Sequence, residues 1–166
     1  MKNKAIFLDR DGIINIERGE YTYRLADFVF VDGLVKSLRR FQTQGFKLII
    51  VSNQSGIGKG IYSFADVELL HAHLLRFMRL NGIEIHEIYY CPHHPDIGRC
   101  ICRKPDSLLI EKAVARFEIN PALSWFIGDK PRDTAAAEKA GVRGILVESN
   151  SSLLELSEKI VQSPTN

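Results

Sequence analysis

The chain has 166 residues, of which 45% are hydrophobic and 25% are charged, and its formal net charge is +2. This length suits one domain over residues 1–166 with a single core, and the scattered basic residues provide no continuous surface for nucleic acid. No apolar run approaches the roughly 18 residues that a membrane helix needs, so we expect a cytoplasmic, monomeric protein without a membrane partner.

Short apolar runs alternate with longer amphipathic ones along the chain. The predicted strands are residues 5–9, 47–52, 85–90, 124–129 and 144–148, and the predicted helices are residues 32–45, 63–82, 106–117, 131–141 and 151–161. This alternation predicts an α/β fold, a doubly wound parallel sheet with helices on both faces. Residues 12–31 do not follow it and are predicted to form an irregular loop or small hairpin beside the first strand. Residues 162–166 are predicted to be a frayed tail.

Polar side chains follow the predicted strands at one edge of the sheet. They are Asp9 and Asp11 after the first strand, Ser52, Asn53 and Gln54 after the second, and Asp129, Lys130 and Asp133 after the fourth. Ligands bind at this edge of an open parallel sheet. In an extended backbone Asp9 and Asp11 would face the same way, with Arg10 on the opposite side. A Mg²⁺ ion would offset the repulsion among these carboxylates, and an ionised Asp could attack phosphorus.

Each of these segments has an alternative interpretation when it is taken alone. DRDG (9–12) is typical of a surface turn with an ion pair, and it does not fit an EF-hand because Gly12 is only the fourth residue from Asp9. SNQSGIGKG (52–60) is not a Walker loop, because Asn53 stands where that motif needs its first glycine. Nor is it a dinucleotide fingerprint, since Ile61 occupies the third glycine position.

All three cysteines lie within residues 91–105, CPHHPDIGRCICRKP. Three thiolates and an imidazole form a set suited to a closed tetrahedral Zn²⁺ site, here with the spacing Cys91-x-His93 and Cys100-x-Cys102. The alternative is three unrelated buried cysteines. The segment has no hydrophobic pattern of its own, so a structural zinc would order it and hold the next two residues, Arg103 and Lys104, over a phosphate site. His94 is assigned to the surface or to a substrate loop.

In this order, FLDRDG, SNQ, RKP and GDKPRD resemble the haloacid dehalogenase (HAD) superfamily of phosphatases over roughly residues 4 to 148. The resemblance implies that Asp9 is the nucleophile and Asp11 the general acid and base. It also implies that Ser52 holds the phosphoryl group and that Lys104 balances its charge. Mg²⁺ would be bound by Asp9, Asp129 and the backbone carbonyl of Asp11. Asp133 would orient Lys130 or a metal-bound water.

DRDG-IIN, SNQSGI, CPHH, the C-x-C pair, CRKP and GDK together resemble the histidinol-phosphatase-like branch of this superfamily. The resemblance implies that there is no large cap domain and that the substrate is a small phosphorylated metabolite. Its binding would then fall to the loops, with the candidate residues Glu17, Arg18, Gly19, Glu20, Asn53, Gln54, Ser55, Arg103 and Lys130.

Two substrates remain open within this branch, together with a non-catalytic, zinc-stabilised binding module. The motif identities favour D-glycero-D-manno-heptose 1,7-bisphosphate, hydrolysed at its 7-phosphate through an aspartyl-phosphate. The six residues between His93 and Cys100 resemble histidinol-phosphate enzymes more closely, and DSLL after RKP departs from the Pro-Gly pair that is usual in the heptose branch. Charge does not decide, because Arg103 and Lys130 suit a second phosphate, whereas Glu17 and Glu20 suit an amine and an imidazole.

Overall fold

The computed structural model describes residues 3–162, and its centre is a five-stranded sheet in which every strand pair is parallel. The strands are β1 (Lys4–Leu8), β2 (Phe46–Asn53), β3 (Ile85–Cys91), β4 (Trp125–Gly128) and β5 (Arg143–Leu146), and they lie in the order β3-β2-β1-β4-β5. Each predicted strand is present, with ends shifted by at most two residues. The strand order places β1 at the centre of the sheet, so the residues that follow it can meet those that follow β2 and β4.

Within residues 3–162, five helices cover the two faces of the sheet. They are α1 (Leu34–Thr43), α2 (Phe64–Leu80), α3 (Leu108–Arg116), α4 (Pro131–Lys139) and α5 (Leu154–Gln162). Helices α1, α2 and α5 share one apolar layer with the β1 side chains of Ile6 and Leu8, whereas α3 and α4 share the other with Ala5 and Phe7. Because both faces of the sheet are buried, the sequences of the strands are continuous apolar runs rather than alternating ones. The doubly wound α/β prediction is confirmed.

Local signals define where the helices begin. Ser63 caps α2, because its hydroxyl accepts the backbone N–H of Asp66 while the Asp66 carboxylate accepts that of Ser63. Pro131 opens α4, and the buried Asp133 carboxylate accepts the backbone N–H of Lys130. The first turn of α4 thereby fixes the segment that directly follows β4.

Residues 12–31 are irregular, as predicted. They contain a short 3₁₀ turn (Leu25–Asp27) and isolated bridges that join Asn15 to Asp11 and to Phe30. Helix α5 ends at Gln162, the first residue of the predicted frayed tail 162–166, and residues 163–166 lie outside the described part of the chain. Within residues 3–162, no segment between the strands is large enough to form a cap domain, and none of the helices has the length and apolar character needed to cross a bilayer.

Candidate active site

A buried lysine between two carboxylates forms the centre of the site. Lys104 Nζ lies 2.9 Å from Asp9 Oδ1 and 2.8 Å from Asp133 Oδ1, and it donates to the Val51 carbonyl at 2.7 Å. All three side chains are at most 7% exposed. Burying an unpaired charge costs several kcal/mol, which is on the order of the whole free energy of unfolding of a small domain. The two carboxylates and the ammonium group avoid this cost because each lies against an opposite charge. The sequence places Asp9 and Lys104 95 positions apart, and the sheet brings them into contact.

The Asp9 carboxylate follows β1 directly, and its backbone N–H donates to the Ile127 carbonyl of β4. Burial raises the pKa of Asp9 to about 6; the Lys104 charge opposes this shift, and the nearby carboxylates of Asp133 and Asp11 add to it. An added positive charge at this position would therefore favour the ionised form.

Asp129 supplies a third buried carboxylate. Its side chain is fully buried, and neither of its oxygens accepts a hydrogen bond of good geometry within residues 3–162, although Lys130 Nζ lies 2.9 Å from Oδ2. Gly12, at φ +86°, allows the close approach: a Cβ there would lie 2.5 Å from Asp129 Oδ2. Carboxylate oxygens of Asp9, Asp129 and Asp133 lie within 4.8 Å of one another.

This cluster suits a hard divalent cation. Asp133 has both oxygens engaged, one by Lys104 and one by the backbone N–H of Lys130. Asp129 Oδ1 has neither a donor nor an ion-pair partner within residues 3–162, and both Asp9 and Asp129 line the cavity beside the cluster. Carboxylate oxygens of this kind are the ligands that Mg²⁺ prefers. Asp133 contacts Lys130 through the Lys130 backbone N–H, and its role as an orienting residue stays a prediction.

The Asp11 side chain turns away from this cluster. Its Oδ1 accepts hydrogen bonds from Arg10 at 2.9 Å and from Asn15 at 3.0 Å, and its Oδ2 accepts one from Gln54 at 3.0 Å. Burial acts to raise the pKa of Asp11, but the Arg10 charge and these hydrogen bonds outweigh it and hold the pKa below its usual range. The expectation that Arg10 faces the opposite side was wrong. The strand ends at Leu8, and the Arg10 carbonyl starts a turn by accepting from Ile14.

The amides that follow β2 bind other protein groups. Asn53 accepts the backbone N–H of Lys104 and donates to its carbonyl, each at 3.1 Å. Gln54 donates to Ser52 Oγ at 2.7 Å and accepts from the hydroxyl of Tyr62 at 2.9 Å. Both amides thus position neighbours of the site, and Ser52 itself is buried with its hydroxyl bound to Gln54.

A cavity of about 260 Å³ opens beside these residues. The predicted site residues that line it are Asp9, Asp11, Glu17, Glu20, Asn53, Gln54, Ser55, Arg103, Asp129 and Lys130. Ser52, Lys104, Arg18 and Gly19 are not part of its wall; Arg18 pairs with Asp27 at 2.6 Å, and the Gly19 N–H donates to Glu17. His94 also lines the cavity, and its assignment to the surface or to a substrate loop stays a prediction.

Five further residues line the cavity without having been predicted to do so: Arg10, Tyr21, Thr22, Tyr62 and Arg132. Tyr62 stacks on Tyr23, with ring centroids 5.3 Å apart, and so connects the irregular loop to the segment after β2. Such a contact leaves no periodic signal in the sequence. Arg132 does stand inside the GDKPRD motif, so its proximity to the site was open to prediction.

The four predicted zinc ligands come together at the end of β3. Cys91 Sγ lies 3.2 Å from Cys102 Sγ, 3.7 Å from Cys100 Sγ and 3.5 Å from His93 Nδ1, and His93 Nδ1 lies 3.3 Å from Cys102 Sγ. A tetrahedral Zn²⁺ with bonds of about 2.3 Å needs ligand atoms about 3.7 Å apart. The donor set and its spacing therefore fit zinc.

Comparison with known proteins relates the chain to phosphatases. The family model described as HAD-hydrolase-like matches residues 101–166. D-glycero-beta-D-manno-heptose-1,7-bisphosphate 7-phosphatase of Haemophilus ducreyi is 38% identical, over 96% of this chain and 91% of the relative. D-glycero-alpha-D-manno-heptose-1,7-bisphosphate 7-phosphatase of Campylobacter jejuni is 39% identical, over 89% of this chain and 83% of the relative.

Solved structures agree with this relationship. The crystal structure of D,D-heptose 1,7-bisphosphate phosphatase from B. bronchiseptica, complexed with magnesium and phosphate, superimposes with a TM-score of 0.82. It is 27% identical in sequence, and the match covers 98% of this chain and 89% of that structure.

Proposed function

Because the chain belongs to the HAD superfamily of hydrolases, in the family of heptose-1,7-bisphosphate 7-phosphatases, we propose that it removes the 7-phosphate from D-glycero-D-manno-heptose 1,7-bisphosphate. The observation that carries the proposal is the buried contact of Lys104 with Asp9 and Asp133, beside a cavity that Asp129 also lines. A nucleophile, a cation and a free carboxylate at one edge of a parallel sheet form a phosphoryl-transfer site.

Asp9 is proposed as the nucleophile. Its carboxylate attacks phosphorus, the bond to the sugar oxygen breaks, and an aspartyl-phosphate remains on the protein. Lys104, held on Asp9, balances the negative charge of the phosphoryl group. Asp11 then has two tasks: it gives a proton to the leaving alcohol, and it later removes one from the attacking water.

Asp11 needs some freedom for these tasks. In the structure its carboxylate is bound by Arg10, Asn15 and Gln54, which lower its pKa and keep it ionised. A lowered pKa makes a carboxylate a weaker base, so Asp11 must give up some of these contacts before it takes the proton of the attacking water, and it must be protonated before it can supply one to the leaving alcohol. Ser52 Oγ accepts from Gln54 and keeps its own O–H proton, which it would donate to the phosphoryl group.

Two metals are proposed. Asp9 and Asp129, with the backbone carbonyl of Asp11, would hold Mg²⁺, which supplies positive charge that polarises the phosphoryl oxygens. Support comes from Asp129 Oδ1, which has neither a hydrogen-bond donor nor an ion-pair partner within residues 3–162. Cys91, His93, Cys100 and Cys102 would hold a structural Zn²⁺ with no open ligand position.

The charges around the cavity favour a bisphosphate over histidinol phosphate. Arg103 and Lys130 line the cavity and can contact a phosphate. Of the two glutamates suited to an amine or imidazole, Glu17 already accepts the Gly19 N–H, and its charge also acts on Lys130. The names of the relatives point the same way.

The test is a comparison of kcat/KM for heptose 1,7-bisphosphate and histidinol phosphate, each with and without Mg²⁺. We expect Mg²⁺-dependent release of phosphate, with the bisphosphate preferred by at least about tenfold, the effect of one or two charge-assisted contacts. Asp9→Asn is the control for contaminating activity and should show no turnover. A preference for histidinol phosphate would reject the substrate. Absence of Mg²⁺-dependent turnover with every phosphate ester would instead favour the non-catalytic module.

A further inference from the structure

Arg132 lies where two cavities meet. It occupies the first turn of α4, next to the buried Asp133, and its side chain lines the catalytic cavity of about 260 Å³. It also lines a neighbouring cavity of about 530 Å³, whose other lining residues lie between Pro95 and Asp106. Arg103 lines both cavities as well. The two arginines therefore belong to a wall that the cavities share.

Both arginines have hydrogen-bond donors to spare. Within residues 3–162, the Arg132 guanidinium group forms no ion pair and donates no hydrogen bond. The Arg103 guanidinium group donates a single long hydrogen bond, from Nη1 to the His93 carbonyl at 3.3 Å. A guanidinium group carries five N–H donors in a planar fork. Most of these donors face solvent or the cavities rather than protein acceptors.

Carboxylates do not neutralise this wall. The second cavity contains one carboxylate, Asp106, and that group pairs with Lys139 at 2.9 Å. In the catalytic cavity, Asp9 pairs with Lys104, Asp11 with Arg10 and Asp129 with Lys130. Glu17 and Glu20 also line this cavity, but within residues 3–162 neither forms an ion pair with Arg103 or Arg132. The positive charges of Arg103 and Arg132 are therefore left for a ligand that is negatively charged.

We infer that Arg132 is a specificity-determining residue that binds, together with Arg103, the substrate phosphate that is not hydrolysed. The inference rests on the proposed function, because a substrate with one phosphate would leave this wall without a partner. The reacting phosphate must reach Asp9, which is buried beside Lys104, so the shared wall is free for the second phosphate. Two guanidinium forks match phosphate oxygens in a bidentate manner that a lysine cannot reproduce.

Two sugar phosphates separate the roles of the phosphates. Heptose 1,7-bisphosphate carries both groups, and heptose 7-phosphate carries only the reacting one. For Arg132→Ala we expect the preference for the bisphosphate, expressed as the ratio of the two kcat/KM values, to fall about tenfold, as for the loss of one charge-assisted contact. Arg132→Lys should recover part of that preference. Arg76→Ala, which removes an exposed arginine of α2 away from both cavities, is the matched control.

Binding of the product gives a second readout that does not depend on turnover. Heptose 1-phosphate carries only the phosphate assigned to Arg132, and its dissociation constant can be measured by titration calorimetry. It should rise about tenfold in Arg132→Ala and stay at the wild-type value in Arg76→Ala. If Arg132→Ala changes neither the preference nor this constant, the inference is wrong. If the wild type hydrolyses no bisphosphate, the proposed function is wrong, while the binding comparison still decides the role of Arg132.

Discussion

Lys104 is a fully buried cation, and its partners explain why the chain tolerates it. Its Nζ contacts two carboxylates and a backbone carbonyl, and its own backbone is held by the Asn53 amide. Every donor of the ammonium has an acceptor, as a buried charge requires. The same contacts place the positive charge against Asp9 before any substrate arrives, so little reorganisation is needed during phosphoryl transfer.

Asp11→Asn should separate the two chemical steps. An aryl phosphate has a good leaving group and needs no proton from Asp11, so the variant should still transfer phosphate to Asp9. Activation of water should fail, since an amide is not a base, and steady-state turnover should fall about 10²–10⁴-fold. Rapid-quench measurements should then show a burst of about one aryl alcohol per chain, followed by a slow phase.

Asp9→Asn is the matched control for this experiment. It should abolish both the burst and the slow phase, because no aspartyl-phosphate can form. Wild-type turnover in Asp11→Asn would remove this residue from the mechanism. A slow reaction without a burst would place its role before the transfer to Asp9.

For individual residues, the sequence predicted which residues lie in the site better than it predicted where their side chains point. Asp9, Lys104 and Asp129 lie together because strand ends and motifs indicate position. The orientation of Arg10 was missed because it depends on where β1 ends, and a shift of one residue reverses the face that a side chain occupies. The Gln54 contacts to Ser52 and Tyr62 were also out of reach, since no periodic pattern encodes them.

Among the elements, strands and helices were predictable and the connecting loops were not. β2 and β4 are bounded by turn residues and filled with apolar ones, and α2 carries its own cap in Ser63 and Asp66. Residues 12–31 show neither the two-residue period of a strand nor the 3.6-residue period of a helix. Their conformation depends on distant partners: the Asn150 side chain, for example, accepts the Glu17 N–H at 2.6 Å. Tertiary contacts of this kind cannot be read from a local window.

The segment that carries the four proposed zinc ligands, residues 91–103, is joined to the loop after β2. The Gly58 N–H donates to the Pro92 carbonyl at 2.9 Å, and a Cβ at Gly58 would lie 2.8 Å from the His94 nitrogen. Beyond Pro92, the described hydrogen bonds of the segment are mostly among its own residues, so the four-ligand cluster is its main anchor. Lys104 differs, because Asn53 and Val51 hold it independently of the cluster.

Removal of the cluster should therefore affect substrate binding more than chemistry. The purified protein should contain about one zinc per chain, and Cys100→Ser should lose it. We expect KM for the bisphosphate to rise about 10–100-fold, because Arg103 is no longer held at the cavity wall. The fall in kcat should be smaller, because Lys104 keeps its own contacts. Metal analysis together with steady-state kinetics measures both quantities.

Ile97→Ser is the control, since it puts serine at an exposed position of the same segment without touching a ligand. It should keep both the zinc and the activity. Full Mg²⁺-dependent activity in zinc-free Cys100→Ser would contradict the proposal that the metal orders this segment.

For the molecule as a whole, the sheet gathers opposite charges at one edge. The order β3-β2-β1-β4-β5 brings Asp9, Asp129 and Asp133 together with Lys104 and Lys130, so three carboxylates face two ammonium groups. Folding must bury this excess of negative charge, which costs free energy. A divalent cation that binds the folded chain alone should lower that cost and make stability depend on its concentration.

Thermal unfolding in the presence of Mg²⁺ tests this dependence. At a Mg²⁺ concentration 100 times Kd, the free energy of unfolding should rise by about 2.7 kcal/mol, which for a chain of this size raises Tm by about 5–10 °C. The measurement should use Mg²⁺-free buffer without a chelator as its reference, so that zinc stays bound, and NaCl should match the ionic strength. Asp129→Asn, whose amide is isosteric but uncharged, should lose most of the rise because it removes one of the two carboxylates proposed to hold the ion. An equal rise in wild type and variant would mean that Mg²⁺ binds elsewhere or acts only as salt.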